Sequence, residues 1–275
     1  MSTSVLSDRA AAPRPTQRVT QARVVLSEWT KLRSLRSTVF SLLAAIVCIV
    51  GLSALVPAVV AHHWPPHDPA DVASFDPTGV SLAGVFLAQL AIGVLGVLFI
   101  TGEYATGMIR ATLAAVPRRL PVLWAKTGVF ATVTLVLTVP AVLAAFTIGQ
   151  SILSSQHIQT SFGEPGVFRA VIGAALYLTV VGVLGLALGA LIRNTAGGIA
   201  TLFGLLFVLP VVVHFLPSSW SDAIDKYLPS SAGQAIVQVH PESSSLSPWV
   251  GLLVFCLYAV AALIAAAMAL NRRDA

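Results

Sequence analysis

Long runs of apolar residues, separated by short polar connections, fill most of the chain after residue 38. A helix needs about 20 apolar residues to cross the hydrocarbon core of a bilayer. Six runs meet this length, and no Asp, Glu, Lys or Arg lies in their interiors. We therefore predict an all-α membrane protein whose transmembrane domain spans 38–271. The predicted spans are 39–61, 80–101, 127–150, 168–192, 198–216 and 248–270.

Composition agrees with this pattern. The 275 residues are 56% hydrophobic and only 10% charged, whereas a soluble domain carries about a quarter charged residues. The net charge of +5 does not indicate nucleic-acid binding, because the basic residues flank the spans and form no soluble patch. Cys48 and Cys256 each lie inside an apolar run, so we expect small buried side chains and no disulfide framework.

Positive charge is distributed unequally between the two sets of connections. Lysine and arginine accumulate on the cytoplasmic side of membrane proteins. Fourteen of the sixteen fall in residues 1–38, in the second-to-third and fourth-to-fifth connections and in the C-terminal tail, while seven of the eleven acids fall on the other side. This bias predicts that both termini are cytoplasmic, as an even number of spans requires.

The segment before the first span divides into two parts. Residues 1–19 are rich in Ser, Pro, Thr and Arg, which predicts a disordered cytoplasmic tail. Residues 20–37 favour an amphipathic helix that lies at the membrane interface with Trp29 at headgroup depth. The alternative is a cytosolic stub that continues into the first span. The expected apolar face is Ala22, Val25, Trp29 and Leu32, and the residues expected to face elsewhere are Arg23, Ser27, Glu28 and Lys31.

Small and helix-breaking residues mark three further places in the predicted bundle. Gly182, Gly185 and Gly189 form a face suited to close helix packing, within the chain or against a partner. Pro140 and Pro210 each remove a backbone hydrogen bond and are expected to kink the third and fifth spans. The segment 217–247 alternates apolar and polar positions at helical spacing, which favours short helices that dip into the outer leaflet as a re-entrant segment.

Catalytic chemistry has little support in the sequence. Ionisable residues inside spans usually mark proton relays or voltage sensors, and these spans have none. Ser53 and His214 are the nearest candidates for an intramembrane hydrolase, without a supporting motif. His62, His63 and His67 with Asp68 leave a divalent metal site open, but we expect no metal and no cofactor.

An ATP site of the chain's own is also not expected. Residues 102–107 have the glycine spacing of a phosphate-binding loop, but Met108 and Ile109 occupy the positions where Lys and Ser/Thr are required. Without that lysine the β- and γ-phosphates lose their charged partner. The chain is therefore expected not to be an enzyme, and energy for any work must come from a partner.

The connection between the second and third spans is the most informative polar stretch. A short helix is expected to begin after Gly102, with Glu103 in its first turn where the helix dipole favours an acid. Pro117 is expected to end it. The alternative is that Arg118, Arg119 and Lys126 only fix the orientation of the chain.

At these residues the sequence resembles an ABC-2-type transporter permease. The shared features are the six spans, the amphipathic first helix, the acid after the second span, Gly107–Arg110 and the Pro-Arg-Arg run at 117–119. The stretch 27–38 is similar to the start of many actinobacterial members. These features cover nearly the whole chain.

The resemblance implies a subunit of a bacterial plasma-membrane transporter that forms a dimer with a second permease copy or a paralogue. Separately encoded ATP-binding subunits would hydrolyse ATP, and the helix between spans two and three would act as the coupling helix. The residues so placed at or near the ATPase contact are Glu103, Tyr104, Thr106, Gly107 and Arg110. Glu28, Trp29 and Lys31 would rest against the same assembly. The runner-up interpretation is a multispan scaffold or regulatory protein, and the third is an intramembrane hydrolase.

Overall fold

The computed structural model describes residues 20–34, 36–66, 68–107, 119–241 and 244–272, and within these ranges the chain is helical with no strand. Several predictions fall outside them: the tail 1–19, the possible metal ligand His67, the coupling residue Arg110, and Pro117 with Arg118.

Eleven α-helices and one 3₁₀-helix, Ser154–Gln156, occur in the described ranges. In chain order they are α1 Gln21–Ser34, α2 Arg36–His62, α3 Pro69–Ala73, α4 Pro77–Ser81, α5 Gly84–Ala105, α6 Arg119–Leu153, α7 Val167–Ile192, α8 Thr195–His214, α9 Ser218–Asp225, α10 Pro229–Gln234 and α11 Pro248–Arg272. The helices α2, α5, α6, α7, α8 and α11 are long and apolar enough to cross a membrane. The predicted all-α architecture with six candidate spans is confirmed, and it is the architecture of a multi-pass membrane protein.

Two of the long helices extend further than the apolar runs predict. Helix α5 continues to Ala105, and α6 begins at Arg119 and contains 35 residues, which corresponds to a length of roughly 50 Å. Pro121 lies in the first turn of α6, where a missing N–H removes no intrahelical bond. Because α6 exceeds the hydrocarbon thickness of about 30 Å, one end of this helix must stand beyond the bilayer core.

Helix α8 is irregular near the proline that the sequence marked. Residues Gly204–Val208 form a π-helical segment, and the N–H of Leu209 donates to the carbonyl oxygen of Gly204. Pro210, in the next turn, has no N–H to continue the regular ladder. Helix α2 also contains a proline, Pro57, which the sequence analysis did not single out.

The centre of the bundle is α7, whose contact with α5 is built on glycine. Gly182, Gly185 and Gly189 lie at this contact, and a Cβ on Gly185 would overlap the carbonyl oxygen of Gly93. A Cβ on Gly96 would overlap the carbonyl oxygen of Gly182. The two backbones are therefore close enough that only hydrogen fits between them at these positions.

The two ends of the bundle differ in chemistry. At one end, which we name the basic end, α1 lies beside the end of α5, the start of α6 and the ends of α7 and α11. Leu32, Phe99, Leu123 and Leu270 pack together there. The opposite end carries α3, α4, α9 and α10. Gly233 of α10 packs against the rings of Tyr177 and Phe255, so this short helix is inserted into the bundle.

Candidate functional site: a buried ionic cluster at the basic end

Four charged side chains meet where α1 crosses the α5–α6 pair, and we name them the ionic cluster. The Nζ of Lys126 lies 2.5 Å from Oε2 of Glu28 and 2.9 Å from Oε1 of Glu103. The Nζ of Lys31 lies 2.7 Å from Oε1 of Glu28 and 2.9 Å from Oε1 of Glu103. Each ammonium contacts both carboxylates and each carboxylate contacts both ammonium groups, so the four groups form a closed, neutral ring.

The cluster is buried unusually deeply for charged groups. The side chains of Glu28 and Lys126 are each 1% exposed and that of Glu103 is 7% exposed. The Nζ of Lys126 also lies 4.2 Å from the centre of the Phe99 ring, which adds a cation–π contact. An isolated buried charge costs several kcal/mol, so none of these side chains is stable at this depth without its partners.

The pKa of Lys31 reflects the same balance. Burial lowers the pKa of this amine. Hydrogen bonds to Glu28 and Glu103, together with the negative charges of both carboxylates, raise the pKa by more than burial lowers it, so the net shift is upward. Lys31 is therefore held as an ammonium. The positive charge of Lys31 is therefore present over the whole physiological pH range.

One oxygen of the cluster is unsatisfied. The Oε2 of Glu103 is buried and has no hydrogen-bond partner among the described residues. The ring of Tyr104 faces Arg193, whose guanidinium carbon lies 5.4 Å from the ring centre. Nη2 of Arg193 donates to the carbonyl oxygen of Ala269 at 3.2 Å. Tyr104 and Arg193 thus connect the end of α5 to the ends of α7 and α11.

The predicted coupling residues lie at the end of α5. Glu103 and Tyr104 belong to its last turn, so the prediction that Glu103 opens a new helix after Gly102 is wrong. The apolar run of α5 continues in helical conformation past the predicted end at residue 101, and this places the acid inside the bundle. Thr106 and Gly107 follow in an exposed turn, in which Gly107 adopts a left-handed φ of 71°.

Helix α1 turns a different face to the bundle than its sequence pattern indicates. Val24, Glu28 and Leu32 are the buried positions, spaced one turn apart, and Lys31 is half-buried beside them. The expected apolar face points partly away, and Trp29 is 46% exposed. The expectation that Glu28 and Lys31 face away from the packed side is wrong, because carboxylates and ammonium groups from different helices neutralise each other there.

The residues considered for catalysis do not form a site. Ser53 is fully buried, and its Oγ accepts a hydrogen bond from the N–H of Gly84 at 3.4 Å. His214 lies at the end of α8, and no hydrogen bond joins it to Ser53 although both residues are described. The part of the chain that the structure describes contains no group of three metal-ligating side chains. Of the histidines considered as metal ligands, His63 places its Nδ1 2.9 Å from the carbonyl oxygen of Val59.

Sequence reasoning missed Lys126 as a site residue, although a signal for it existed. The chain has three lysines against thirteen arginines, and two of the three, Lys31 and Lys126, belong to the ionic cluster. An ammonium is a compact charge that can turn its three N–H donors toward two carboxylates at once, whereas the guanidinium of arginine is a planar fork. A lysine in a chain that otherwise uses arginine therefore indicates a position where a compact ammonium is needed.

The arrangement is suited to transmitting displacement. It ties α1, α5 and α6 to one another, and Glu103 lies one turn before the exposed turn at Thr106. No protein-family model matches the chain, and no curated protein matches it.

Proposed function

We propose that the chain is the membrane-spanning subunit of an ATP-driven ABC transporter of the ABC-2 type, an exporter of an amphipathic or hydrophobic substrate. It acts as a dimer and depends on separate ATP-binding subunits in the bacterial plasma membrane, with both termini in the cytoplasm. The observation that carries the proposal is the ionic cluster, which ties α1 to the two helices flanking the 106–118 connection.

The mechanical argument follows from where the cluster stands in the chain. Glu103 lies one turn before the exposed Thr106, and Lys126 lies two turns into α6. A partner that pushes the 106–118 connection moves both helix ends, and Glu28 transfers that movement to α1 through Lys126. Because the cluster is buried and closed, it resists separation of the three helices and makes them move together.

This geometry divides the predicted coupling residues into two groups. Thr106 and Gly107 are exposed and are the groups that contact the ATPase, together with Arg110. Glu103 is buried, so its part is to hold the exposed turn on the bundle. Glu28 and Lys31 act likewise from α1, whereas the exposed ring of Trp29 faces lipid.

Transport follows from alternating access between two such chains. Closure of the ATPase dimer favours one of two arrangements, and the permease bundles rock accordingly. Helices α5 and α8 supply apolar walls: the Phe86 and Phe207 rings meet edge to face at 5.7 Å, and Phe86 and Phe203 are 54% and 40% exposed. Such walls suit a hydrophobic or amphipathic cargo.

Affinity purification of the tagged chain from native membranes tests the proposal. We expect an ATP-binding subunit to co-purify, and Thr106→Arg to reduce its recovery at least fivefold. The matched control is Ser155→Arg, which changes another exposed residue, at the opposite end of the bundle. Absence of any ATP-binding protein, with the wild-type chain intact, would contradict the proposal and leave a scaffold role.

A further inference from the structure

Two adjoining cavities lie at the opposite end of the bundle, far from the ionic cluster. One has a volume of about 210 Å³ and lies between α4, α5, α7 and α10. The other, of about 370 Å³, lies around α9 and α10. Gln234 and Gln238 line both, so the two cavities lie on either side of these two side chains, and we name the pair the double cavity.

The two halves of the double cavity have different chemistry. The smaller half is walled by Leu82, Val85, Phe86 and Val237. Two of its polar groups satisfy each other, since the hydroxyl of Tyr177 donates to Oε1 of Gln89. Asp76 also lines this half, and its Oδ1 accepts a hydrogen bond from the N–H of Thr78. An alkyl chain can lie against the apolar side chains without breaking these two hydrogen bonds.

The larger half is polar and carries opposite charges on neighbouring residues. Asp225 and Lys226 both line it and are partly exposed to it. Oδ1 of Asp225 accepts a hydrogen bond from Oγ of Ser231 at 3.1 Å, and Nζ of Lys226 lies 5.4 Å from the centre of the Tyr227 ring. Within the described ranges neither charge has an ion-pair partner. The remaining lining groups are His214, Ser221, Ser244, Ser245 and Leu246.

We propose that the double cavity binds a single-tailed amphiphile whose head carries both a cationic and an anionic group. The cation of the head pairs with Asp225 and its anion with Lys226, while the tail lies against Leu82 and Phe86. A head of one sign would leave one of these charges opposed by a like charge. The tail half, at about 210 Å³, is smaller than the roughly 300–1,000 Å³ of common ligand sites, and this small volume favours one short alkyl chain over two.

Binding of ten-carbon amphiphiles that differ only in the head tests the site. The full chain in lipid nanodiscs is titrated with decylphosphocholine, decyl sulfate, decyltrimethylammonium and decyl maltoside below their micelle concentrations, with empty nanodiscs as the baseline. We expect decylphosphocholine to bind at least tenfold more tightly than the other three. Equal affinity for all four heads would overturn the proposal.

Substitutions then locate the binding. Asp225→Asn and Lys226→Gln are each expected to weaken decylphosphocholine binding about tenfold, and Phe86→Ala is expected to weaken all four amphiphiles alike. Glu164→Gln, an exposed acid at the same end, is the matched control and is expected to change nothing. Unchanged affinity in both charge variants would place the binding elsewhere and refute the assignment.

A diacyl probe with the same head tests the single-tail assignment. Dihexanoyl phosphatidylcholine is expected to bind more weakly than decylphosphocholine, and tighter binding would contradict a one-chain tail cavity. The proposal goes beyond the transporter function and does not depend on it, because no step of the titration uses ATP or an ATPase. A failed titration therefore leaves the permease proposal standing, and a failed co-purification leaves the double cavity standing.

Discussion

At the scale of single residues, Lys126 shows how a full charge is accommodated inside a helical bundle. Its ammonium has two carboxylates within 2.9 Å and an aromatic ring beneath it. Removing one member of such a cluster leaves an uncompensated charge on the others, which costs more than the lost attraction. The ionic cluster is therefore expected to respond to single substitutions much more strongly than surface charges do.

Replacing Lys126 with methionine is expected to destabilise the chain by about 3–5 kcal/mol, because Glu28 and Glu103 would then share only Lys31. The measurement is unfolding of the purified chain in detergent, followed by tryptophan fluorescence. Lys226→Met is the matched control, since that lysine is partly exposed. This variant is expected to lower the free energy of unfolding by about 0.5 kcal/mol or less. Similar losses in the two variants would show that the cluster does not contribute as described.

Gly185 is the residue at which the α5–α7 contact is most sensitive. A methyl group there overlaps the carbonyl oxygen of Gly93. Gly185→Ala is therefore expected to lower the free energy of unfolding by about 1–3 kcal/mol. Gly51→Ala is the control, because an added Cβ at Gly51 meets no atom within 4 Å and the helix gains about 1 kcal/mol of propensity. Unfolding curves of both variants check this, and equal stability would argue against close packing.

At the scale of elements, α1 is held by charge as much as by apolar packing. The pKa of Lys31 is raised above its ordinary value of 10.5 because of Glu28 and Glu103, despite burial. A raised pKa for a base means that its stabilising contribution is complete below the unfolded pKa and disappears as the pH rises through the folded one. The contribution of Lys31 to the attachment of α1 is therefore expected to disappear under strongly alkaline conditions.

The melting temperatures of the wild type and of Lys31→Met, measured across pH, test this attachment. The difference between them is expected to stay constant from about pH 6 to about pH 9 and to shrink as the pH passes above 10.5. Titrating groups that do not contact Lys31 affect wild type and variant alike, so their effects cancel in the difference. A difference that shrank already near neutral pH would mean that Lys31 is not held as an ammonium by the carboxylates.

The proposed orientation of the six spans is tested by cysteine accessibility. In a background lacking Cys48 and Cys256, Ser155→Cys is expected to react with a membrane-impermeant maleimide in intact cells. Thr106→Cys is expected to react only after permeabilisation, because the basic end is assigned to the cytoplasm. The reverse pattern would invert the topology and remove the turn at Thr106 from the reach of a cytoplasmic ATPase.

The elements and the site were predictable to different degrees. Apolar length alone locates all six long helices, because a bilayer sets their minimum length. The partnership of Glu28 with Lys126 spans 98 residues, and no local pattern contains it. Short helices were expected in 217–247, but the packing of Gly233 against Tyr177 and Phe255 was not, because these residues are distant in the chain. What escaped prediction was long-range packing.

At the scale of the whole molecule, the two ends of the bundle carry separate features. The basic end has a buried, closed ionic cluster beside an exposed turn, and the opposite end has the open double cavity with unlike charges on neighbouring residues. The glycine contact between α5 and α7 joins the two ends through the most closely packed part of the core. A displacement applied at Thr106 therefore has a rigid path along α5 to Phe86 and the double cavity.

Site-specific photo-cross-linking at Thr106 in living cells tests the central claim most directly. A photoreactive side chain at position 106 is predicted to capture an ATP-binding subunit, and the same group at Ser155 is predicted to capture none. Both positions are exposed, so the comparison isolates the end of the bundle at which the partner docks. Capture of an ATP-binding protein from Thr106 alone is the predicted result, and capture of none from either position would contradict the account.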